Sequence, residues 1–364
     1  MKRPGLRAAT SLAGCLLLVA CLAPRPEGPE EAASFPVPPP KTSAGIPIRA
    51  LPVEGASATR IVDVDEGIAV GWAELPANIG VERQAIAISI EDGALLDLGT
   101  ADVTRSEADR ITGTTVTGSL VRDDGTLGVF AVDLASGSQG RPSLGEEPLA
   151  PPSFDGVATG LVAIGVVGDE LVFSVTGEPG ESWRSLAAGL TAPTIRDLGA
   201  SGGDNTALIA VADGLAVGWS GGAEAFHPVV LDLATGAFTD VALEPGDDLG
   251  MLMDADDGWA VGWSYRRDGG DDTSIAWNLA TGERRVIGKG LVTATGGGWV
   301  VQVGPDGSFS ATEITSGRTV DLGRMPVDTN LEPMAFDGRW LVGNFSGDGR
   351  GTIPVALDLQ AALR

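Results

Sequence analysis

The stretch Asp257-Gly258-Trp259-Ala260-Val261-Gly262-Trp263 indicates a repeat protein, because it recurs along the chain with little change. Close copies occupy residues 67–72 and 214–219, and a looser copy occupies residues 338–344. Each copy is a short apolar run with a glycine just before its last residue, a pattern that predicts a β-strand buried on both faces. Trp72, Trp219 and Trp263 recur in register, which indicates packing between neighbouring repeats.

Seven two-residue turns, each containing glycine, separate apolar runs along the chain. Turns of this composition join antiparallel strands, since glycine tolerates the positive φ that such turns need. Their second residues are spaced by 40 to 56 positions. The turns are Glu66-Gly67, Thr112-Gly113, Gly168-Asp169, Asp213-Gly214, Asp257-Gly258, Gly297-Gly298 and Asp337-Gly338.

A third and a fourth strand complete each repeat. The third run ends in a turn such as Asp232-Leu233-Ala234-Thr235-Gly236, and the fourth ends in a triplet such as Asp321-Leu322-Gly323. Four antiparallel strands in roughly 40–50 residues match the size of one propeller blade. The sequence therefore predicts an all-β fold, a seven-bladed β-propeller of four-stranded antiparallel blades.

The last repeat lacks a full fourth strand after the run Val355-Ala356-Leu357-Asp358-Leu359. A strand-like run at residues 46–51 precedes the first repeat and belongs to none of the seven. We expect this N-terminal strand to complete the last blade. Such closure would join the two ends of the domain and leave fewer unpaired strand edges.

The repeat resembles those of bacterial extracellular β-propellers, and it is similar to the TolB-type and HAF-type repeats of envelope proteins. The resemblance rests on the Asp-Gly turn, the apolar-Val-Gly-Trp run and the Asp-Leu-Ala-Thr-Gly and Asp-Leu-Gly endings, and it covers residues 46–364. The third repeat departs from it at Val172-Phe173-Ser174 and the sixth at Val300-Val301-Gln302. The motif is specific for architecture, so the resemblance implies a propeller and assigns no binding residue.

The first 20 residues are typical of a bacterial lipoprotein signal peptide. Basic residues precede a short apolar stretch, and Leu18-Val19-Ala20-Cys21 fits the lipobox pattern. An ordinary signal peptide or a buried helix is the alternative, whereas the stretch is too short to span a membrane. We expect lipidation at Cys21, a linker rich in Pro and Glu over residues 21–45, and the propeller domain over residues 46–364. The protein would then be exported and lipid-anchored in the cell envelope, at the outer membrane or at the outer face of the plasma membrane.

The chain carries a formal net charge of −25. Such an acidic surface repels nucleic acids and anionic lipid headgroups, so we exclude nucleic-acid binding and expect membrane contact only through the lipid anchor. Both cysteines, Cys15 and Cys21, precede the expected propeller domain, which excludes a disulfide framework or a cysteine-based metal site in that domain. Acidic turns such as residues 254–258 depart from the EF-hand order and are better explained as solvated turns. We expect no metal, no cofactor and a monomer.

Few residues of the body suit catalysis. The chain has one histidine, His227, and one tyrosine, Tyr265. A Ser-His-Asp triad would depend on His227, which we interpret as a surface or packing residue at the start of a strand. A carboxylate-dependent hydrolase of glycans or peptides stays open as the alternative, because two carboxylates suffice to cleave glycosidic bonds. No pair stands out, so we assign no catalytic residue.

The most distinctive predicted loop is Ser264-Tyr265-Arg266-Arg267-Asp268. Long loops carry function in many folds, and an aromatic ring beside two guanidinium groups suits a carboxylate or a sugar. Ion pairs of the arginines with Asp268, Asp271 and Asp272 are the alternative explanation. We take Tyr265, Arg266 and Arg267 as candidate ligand-binding residues. The sequence thus favours a non-catalytic binding or scaffold module for an envelope protein, a peptide or a glycan.

Overall fold

A computed structural model describes most of the chain from residue 41 onward. The regular structure of the described residues is entirely β-strand, and none of them forms a helix that could span a membrane. The expected all-β class is thereby confirmed, and Cys21 lies outside the described residues. The described residues are 41–76, 81–96, 98, 103–122, 125–140, 160–176, 183–191, 194–201, 205–222, 225–267, 272–304, 306–325, 329–347 and 350–364.

The strands follow one another along the chain as hairpins. They are β1 (Ile48–Ala50), β2 (Ala58–Asp65), β3 (Ile68–Pro76), β4 (Val81–Ser89), β5 (Leu95–Leu96), β6 (Arg105–Thr112), β7 (Thr115–Val121), β8 (Leu127–Asp133), β9 (Ser138–Gly140), β10 (Gly160–Val167), β11 (Glu170–Thr176), β12 (Trp183–Gly189), β13 (Ile195–Asp197), β14 (Asn205–Ala212), β15 (Leu215–Gly222), β16 (Ala225–Asp232), β17 (Ala237–Asp240), β18 (Leu249–Asp256), β19 (Trp259–Tyr265), β20 (Thr273–Asn278), β21 (Arg284–Lys289), β22 (Leu291–Gly296), β23 (Trp299–Val303), β24 (Ser308–Glu313), β25 (Thr319–Arg324), β26 (Thr329–Phe336), β27 (Trp340–Gly347) and β28 (Arg350–Asp358).

Hydrogen bonding groups these strands into five four-stranded sheets and one eight-stranded sheet. The four-stranded sheets are β10–β13, β14–β17, β18–β21, β22–β25, and β26–β28 together with β1, whereas β2–β9 form the eight-stranded sheet. The prediction of seven four-stranded blades is therefore wrong. The described chain has five such blades, and the first two copies of the sequence repeat share one continuous sheet.

The eight-stranded sheet arises where β4 meets β6. Arg83 in β4 pairs in parallel with Arg105 in β6. Both guanidinium groups converge on the buried carboxylate of Glu107: Arg83 Nη1 lies 2.7 Å from Glu107 Oε1, and Arg105 forms a second ion pair with the same oxygen. Glu74 holds Arg83 from another side, at 3.2 Å. These side chains close the gap between two neighbouring repeats, and the repeat pattern alone does not encode them.

The first strand of each repeat contributes to a closed ring. Strands β2, β6, β10, β14, β18, β22 and β26 contact one another in this order, and β26 contacts β2. Strand β1 completes the last sheet by antiparallel pairing with β28, where Ile48 lies opposite Leu357. This pairing confirms the expected closure by residues 46–51. The chain contacts the body even before β1, since Ser43 N donates to Arg324 O at 2.8 Å.

The recurring sequence motif has a geometric cause. Glu66, Asp213 and Asp257 adopt positive φ of 48°, 52° and 49° as first residues of the hairpin turns, as two-residue turns of type I′ require. Gly262, near the end of the apolar run, leaves no room for a side chain. A Cβ atom at that position would lie 2.0 Å from Met251 O on the adjacent strand.

Aspartate side chains in or just after the first strands join neighbouring repeats. Asp63 Oδ2, in β2, accepts a hydrogen bond from Ile111 N at 2.8 Å. Asp337 Oδ2, directly after β26, accepts one from Gly67 N at 3.0 Å, which connects the last repeat to the first. Apolar clusters fill the space between the repeats, and the bond of Asp63 gives the buried Ile111 N–H a partner there.

Candidate functional site

Five aromatic side chains lie at one end of three neighbouring four-stranded sheets, and we call them the aromatic row. Trp183 begins β12, Trp219 and Phe226 belong to the hairpin β15–β16, and Trp263 and Tyr265 lie near the end of β19. Strands β15 and β19 end, and β12 and β16 begin, on the side of the ring where second and third strands are connected. The regular up-and-down order of the strands therefore brings these residues together.

The rings of the aromatic row form a continuous series. The ring centroids of Trp183 and Trp219 are 6.5 Å apart, and those of Trp219 and Phe226 are 5.7 Å apart. Phe226 then lies 6.3 Å from Trp263 and 6.5 Å from Tyr265, and the last two rings are 5.2 Å apart. The ring planes are tilted or perpendicular to one another, which is the arrangement that ring quadrupoles favour.

Solvent reaches part of this surface. Trp183, Trp219, Phe226 and Tyr265 are half-buried, whereas Trp263 is 4% exposed. Trp219 packs across to the neighbouring sheet as the sequence predicted, yet its ring is not enclosed in the core. The aromatic row is thus a partly open apolar surface on a rigid framework.

The structure places the predicted residue Tyr265 within the aromatic row, and it places Arg266 beside it. Arg266 Nε lies 3.6 Å from Asp247 Oδ1, and its side chain is 53% exposed while that of Asp247 is 8% exposed. Ser264 Oγ donates to the same carboxylate at 2.5 Å. The ion-pair partner found for Arg266 is therefore on the segment before β18, whereas Asp268 and Asp271 lie outside the described residues.

The third predicted residue, Arg267, is attached to the same segment through its backbone. Arg267 N donates to Asp248 Oδ2 at 3.2 Å. Asp248 N in turn donates to Tyr265 O at 3.0 Å. The acidic pair Asp247 and Asp248 thus anchors the loop on which all three predicted residues lie.

Four other tryptophans carry an arginine of the chain itself on the ring. Guanidinium carbons lie 3.9 to 5.3 Å from the ring centroids, which is the geometry of a cation–π contact. Among the described residues, no arginine stacks in this way on Trp183, Trp219 or Trp263. The stacked pairs are Arg83 with Trp72, Arg285 with Trp259, Arg318 with Trp299, and Arg339 with Trp340.

The buried carboxyl groups on the inner strands have structural partners. Burial raises the pKa of Asp63 to about 6, although Arg110 and the Ile111 N–H oppose the rise. Burial also raises the pKa of Asp254, whose Oδ2 accepts from Thr295 N at 3.0 Å. Burial raises the pKa of Asp256 to about 6, and its Oδ2 accepts from Gly297 N. These groups bind backbone donors of the next repeat, so their perturbed pKa values follow from packing.

His227 lies on the surface of β16, as expected. Its Nε2 is 3.2 Å from Asp240 Oδ1, and its side chain is 31% exposed. In the part of the chain that the structure describes, no three His, Cys, Asp or Glu side chains are arranged to hold a metal ion.

Sequence reasoning missed two members of the aromatic row. Trp183 and Phe226 belong to no repeated motif. Trp183 meets Trp219 because two neighbouring sheets pack side by side, whereas Phe226 lies in the same hairpin as Trp219, two residues before its partner Pro228. The position of Trp183 and Phe226 near the start of a third strand was the available signal.

Comparison with known proteins gives the fold and no family. No family model matches the chain, and no curated protein matches it. A solved oligogalacturonate lyase in complex with manganese is similar to it, with a TM-score of 0.60 and 12% identity over 93% of this chain and 100% of that chain. A puromycin hydrolase has a TM-score of 0.57 and 17% identity over 91% of this chain and 56% of that chain.

A third similar structure is the β-propeller domain of the Trilobed protease from Pyrococcus furiosus. It has a TM-score of 0.55 and 10% identity over 83% of this chain and 96% of that chain. At identities this low, the matches show the fold and carry no information on activity. The β-propeller part of the resemblance stated from the repeats is confirmed, whereas the TolB-type and HAF-type assignment stays a prediction. The chain has a β-propeller fold.

Proposed function

We propose that this chain is a lipid-anchored binding propeller of the cell envelope, which holds a peptide, a protein segment or a glycan on its aromatic row without transforming it. The single observation that carries the proposal is the continuous series of rings from Trp183 to Tyr265 across three sheets. Tryptophan and tyrosine supply large contact areas and lose little conformational entropy when they bind.

The rigidity of the surface supports binding. Trp219 and Phe226 belong to paired strands, where Trp219 lies opposite Pro228 and Gly221 lies opposite Phe226. Rings that are already fixed by strands and by one another need little ordering when a ligand arrives, and this saves part of the entropic cost of association. A site of this kind favours an extended ligand lying along the rim of the ring.

The chemistry of the carboxyl groups favours binding over hydrolysis. Glycosidic hydrolysis needs two carboxyl groups that face a substrate, one of them a proton donor. The carboxyl groups with raised pKa at Asp63, Asp254 and Asp256 accept hydrogen bonds from backbone N–H groups of the neighbouring repeat instead. The raised pKa values of these carboxyl groups therefore accompany a structural role, the joining of neighbouring repeats.

The location in the proposal rests on the sequence of the N-terminus. A lipobox ending at Cys21 and a linker rich in Pro and Glu would hold the propeller away from the membrane surface. The test is fractionation of cells that express the full chain or its Cys21→Ser variant. The wild type should pellet with membranes after a high-salt wash and the variant should be released, whereas a variant that stays in the membrane fraction contradicts lipid anchoring.

Binding itself is tested with an array of peptides and glycans probed with the purified propeller. We expect hits in the wild type that disappear in Trp219→Ala. The matched control is Trp72→Ala, because Trp72 has the same place in its repeat and lies outside the aromatic row. Turnover of an array hit into fragments would contradict a non-catalytic role.

A further inference from the structure

We propose that the aromatic row takes a cationic side chain, the guanidinium or ammonium group of a basic peptide segment. This inference rests on the proposed binding function and adds the chemical class of the ligand. The evidence is a comparison between repeats, because the first repeat already holds a guanidinium group of the chain on its tryptophan.

The first repeat shows how this framework holds a guanidinium group. Arg83 Cζ lies 3.9 Å from the ring centroid of Trp72. The same group forms ion pairs with Glu107 at 2.7 Å and with Glu74 at 3.2 Å. A cation is thus bound between one aromatic face and two carboxylates, a combination in which the attraction from the ring and from the acids adds up.

The strand register identifies the matching positions in the repeats that form the aromatic row. Trp72 lies opposite Ala85, and Arg83 stands two residues before that partner. Trp219 lies opposite Pro228, so that Phe226 has the place of Arg83. Trp263 lies opposite Ser274, so that Asp272 has that place in the next repeat.

The two repeats therefore have a tryptophan where the first repeat has Trp72. Where the first repeat has Arg83, they have Phe226 and Asp272. Four tryptophans elsewhere in the chain carry an arginine on the ring. Of the described residues, none supplies a guanidinium to the rings of Trp183, Trp219 and Trp263. The half-buried rings of the aromatic row leave aromatic surface exposed, on which a cation from outside the chain can stack.

Carboxylates are also available near the aromatic row. Asp240, at the end of β17, is 64% exposed and lies 3.2 Å from His227, which follows Phe226 in the chain. Asp247 and Asp248 adjoin Tyr265 through the bonds of Ser264 and Arg267 described above. The net charge of −25 adds a long-range attraction for a basic ligand and a repulsion for an acidic one.

Arg266 makes the proposal sharply testable, because it competes with a cationic ligand. Its guanidinium group is paired with Asp247 at 3.6 Å and its side chain is 53% exposed. If the ligand is cationic, Arg266→Ala should strengthen binding about two- to fivefold, since it frees a carboxylate and removes a like charge. If the ligand is a carboxylate or an acidic sugar, the same substitution should weaken binding.

The experiment uses a short capped peptide of alternating glycine and arginine, and the same peptide with citrulline in place of arginine. Affinities are measured by titration calorimetry at low salt. We expect binding of the arginine peptide, at least about tenfold weaker binding of the citrulline peptide, and a loss of about three- to thirtyfold in Trp219→Ala or Tyr265→Ala. Trp72→Ala should bind like the wild type, and circular dichroism checks that each variant is folded.

Equal binding of both peptides, or weaker binding of the arginine peptide by Arg266→Ala, would overturn the cationic class. Binding of a neutral oligosaccharide that depends on Trp219 and Tyr265, with no binding of the arginine peptide, would also overturn it and leave the proposed binding function standing. If no peptide or glycan in the array depends on these two residues, the proposed function fails as well.

Discussion

Arg110 Nη1 lies 3.5 Å from Asp63 Oδ1 inside the ring of first strands, with both side chains largely buried. Arg110 Nη2 also donates to Ile209 O at 3.1 Å. Asp63, Arg110 and Asp254 each follow the bulge of their own strand, so they have the same register position in three repeats. The other strands have small residues at that position, which leaves room for the arginine: Gly165, Ala210, Ala294 and Ala335.

Replacing this arginine should destabilise the whole propeller. Arg110→Met would leave Asp63 and Asp254 buried without their shared cation, and breaking a buried ion pair typically costs about 3–5 kcal/mol. Urea unfolding at neutral pH measures the loss. The double variant Arg110→Met/Asp63→Asn should recover part of it, and a loss below about 1 kcal/mol in the single variant would show that the cluster is not an ion pair that matters for folding.

Asp63 should make the free energy of unfolding decrease as the pH rises. Its folded pKa is raised from 3.8 to about 6 by burial, so the folded state binds the proton more tightly than the unfolded state does. The stability that this group contributes is complete below pH 3.8 and is lost as pH rises through about 6.

The measurement compares the wild type with Asp63→Asn at pH 4.5 and at pH 7.5. The whole shift corresponds to about 3 kcal/mol, of which about 2 kcal/mol falls between these two pH values. The wild type should therefore lose about 2 kcal/mol more stability than the variant between pH 4.5 and pH 7.5. Asp256 titrates in the same range in both proteins and cancels in the difference. Parallel pH profiles would contradict the assignment to Asp63.

Gly262 should not tolerate even a methyl group. A Cβ atom there would lie 2.0 Å from Met251 O, and the backbone of the adjacent strand cannot move away cheaply. We expect Gly262→Ala to lower the free energy of unfolding by about 2 kcal/mol or more. The matched control is Gly222→Ala, where no atom lies within 4 Å of the added Cβ. Equal effects of the two substitutions would contradict the close approach.

Strand β1 should stabilise the ring as a whole. Its Ile48 is fully buried and pairs opposite Leu357 in β28. Deletion of residues 46–52 should lower the thermal midpoint by about 5–10 °C, because it opens the last sheet and removes buried apolar side chains. Ile48→Ala tests the same contact with less disruption. A truncated chain that melts like the full-length protein would show that closure contributes nothing.

Local sequence signals predicted local structure well in this chain. The Gly-containing turns, the buried second strands and the closing strand at residues 46–51 follow from residue type and spacing alone. The continuous eight-stranded sheet does not, because its two halves are joined by the single parallel pair Arg83 and Arg105, whose side chains also share the carboxylate of Glu107. Long side chains that meet between repeats leave no periodic signal.

The candidate site was likewise predictable only in part, because some of its contacts join different repeats. Tyr265 and Arg266 could be selected because they are a rare residue and a base in an acidic chain. Trp183, Phe226 and Tyr265 come from three different sheets, and the contacts of Trp183 with Trp219 and of Phe226 with Tyr265 form only once the ring is assembled. Asp247, the ion-pair partner of Arg266 among the described residues, precedes β18, whereas the candidates considered from the sequence follow Arg267.

If the aromatic row is the ligand site, one pair of affinities should show it. The strongest hit of the array is titrated into Trp219→Ala and into Trp72→Ala, two substitutions of the same residue type at equivalent positions of two repeats. We predict that Trp219→Ala weakens binding about three- to thirtyfold and that Trp72→Ala matches the wild type. Equal affinities of the two folded variants would contradict the assignment of the ligand site to the aromatic row.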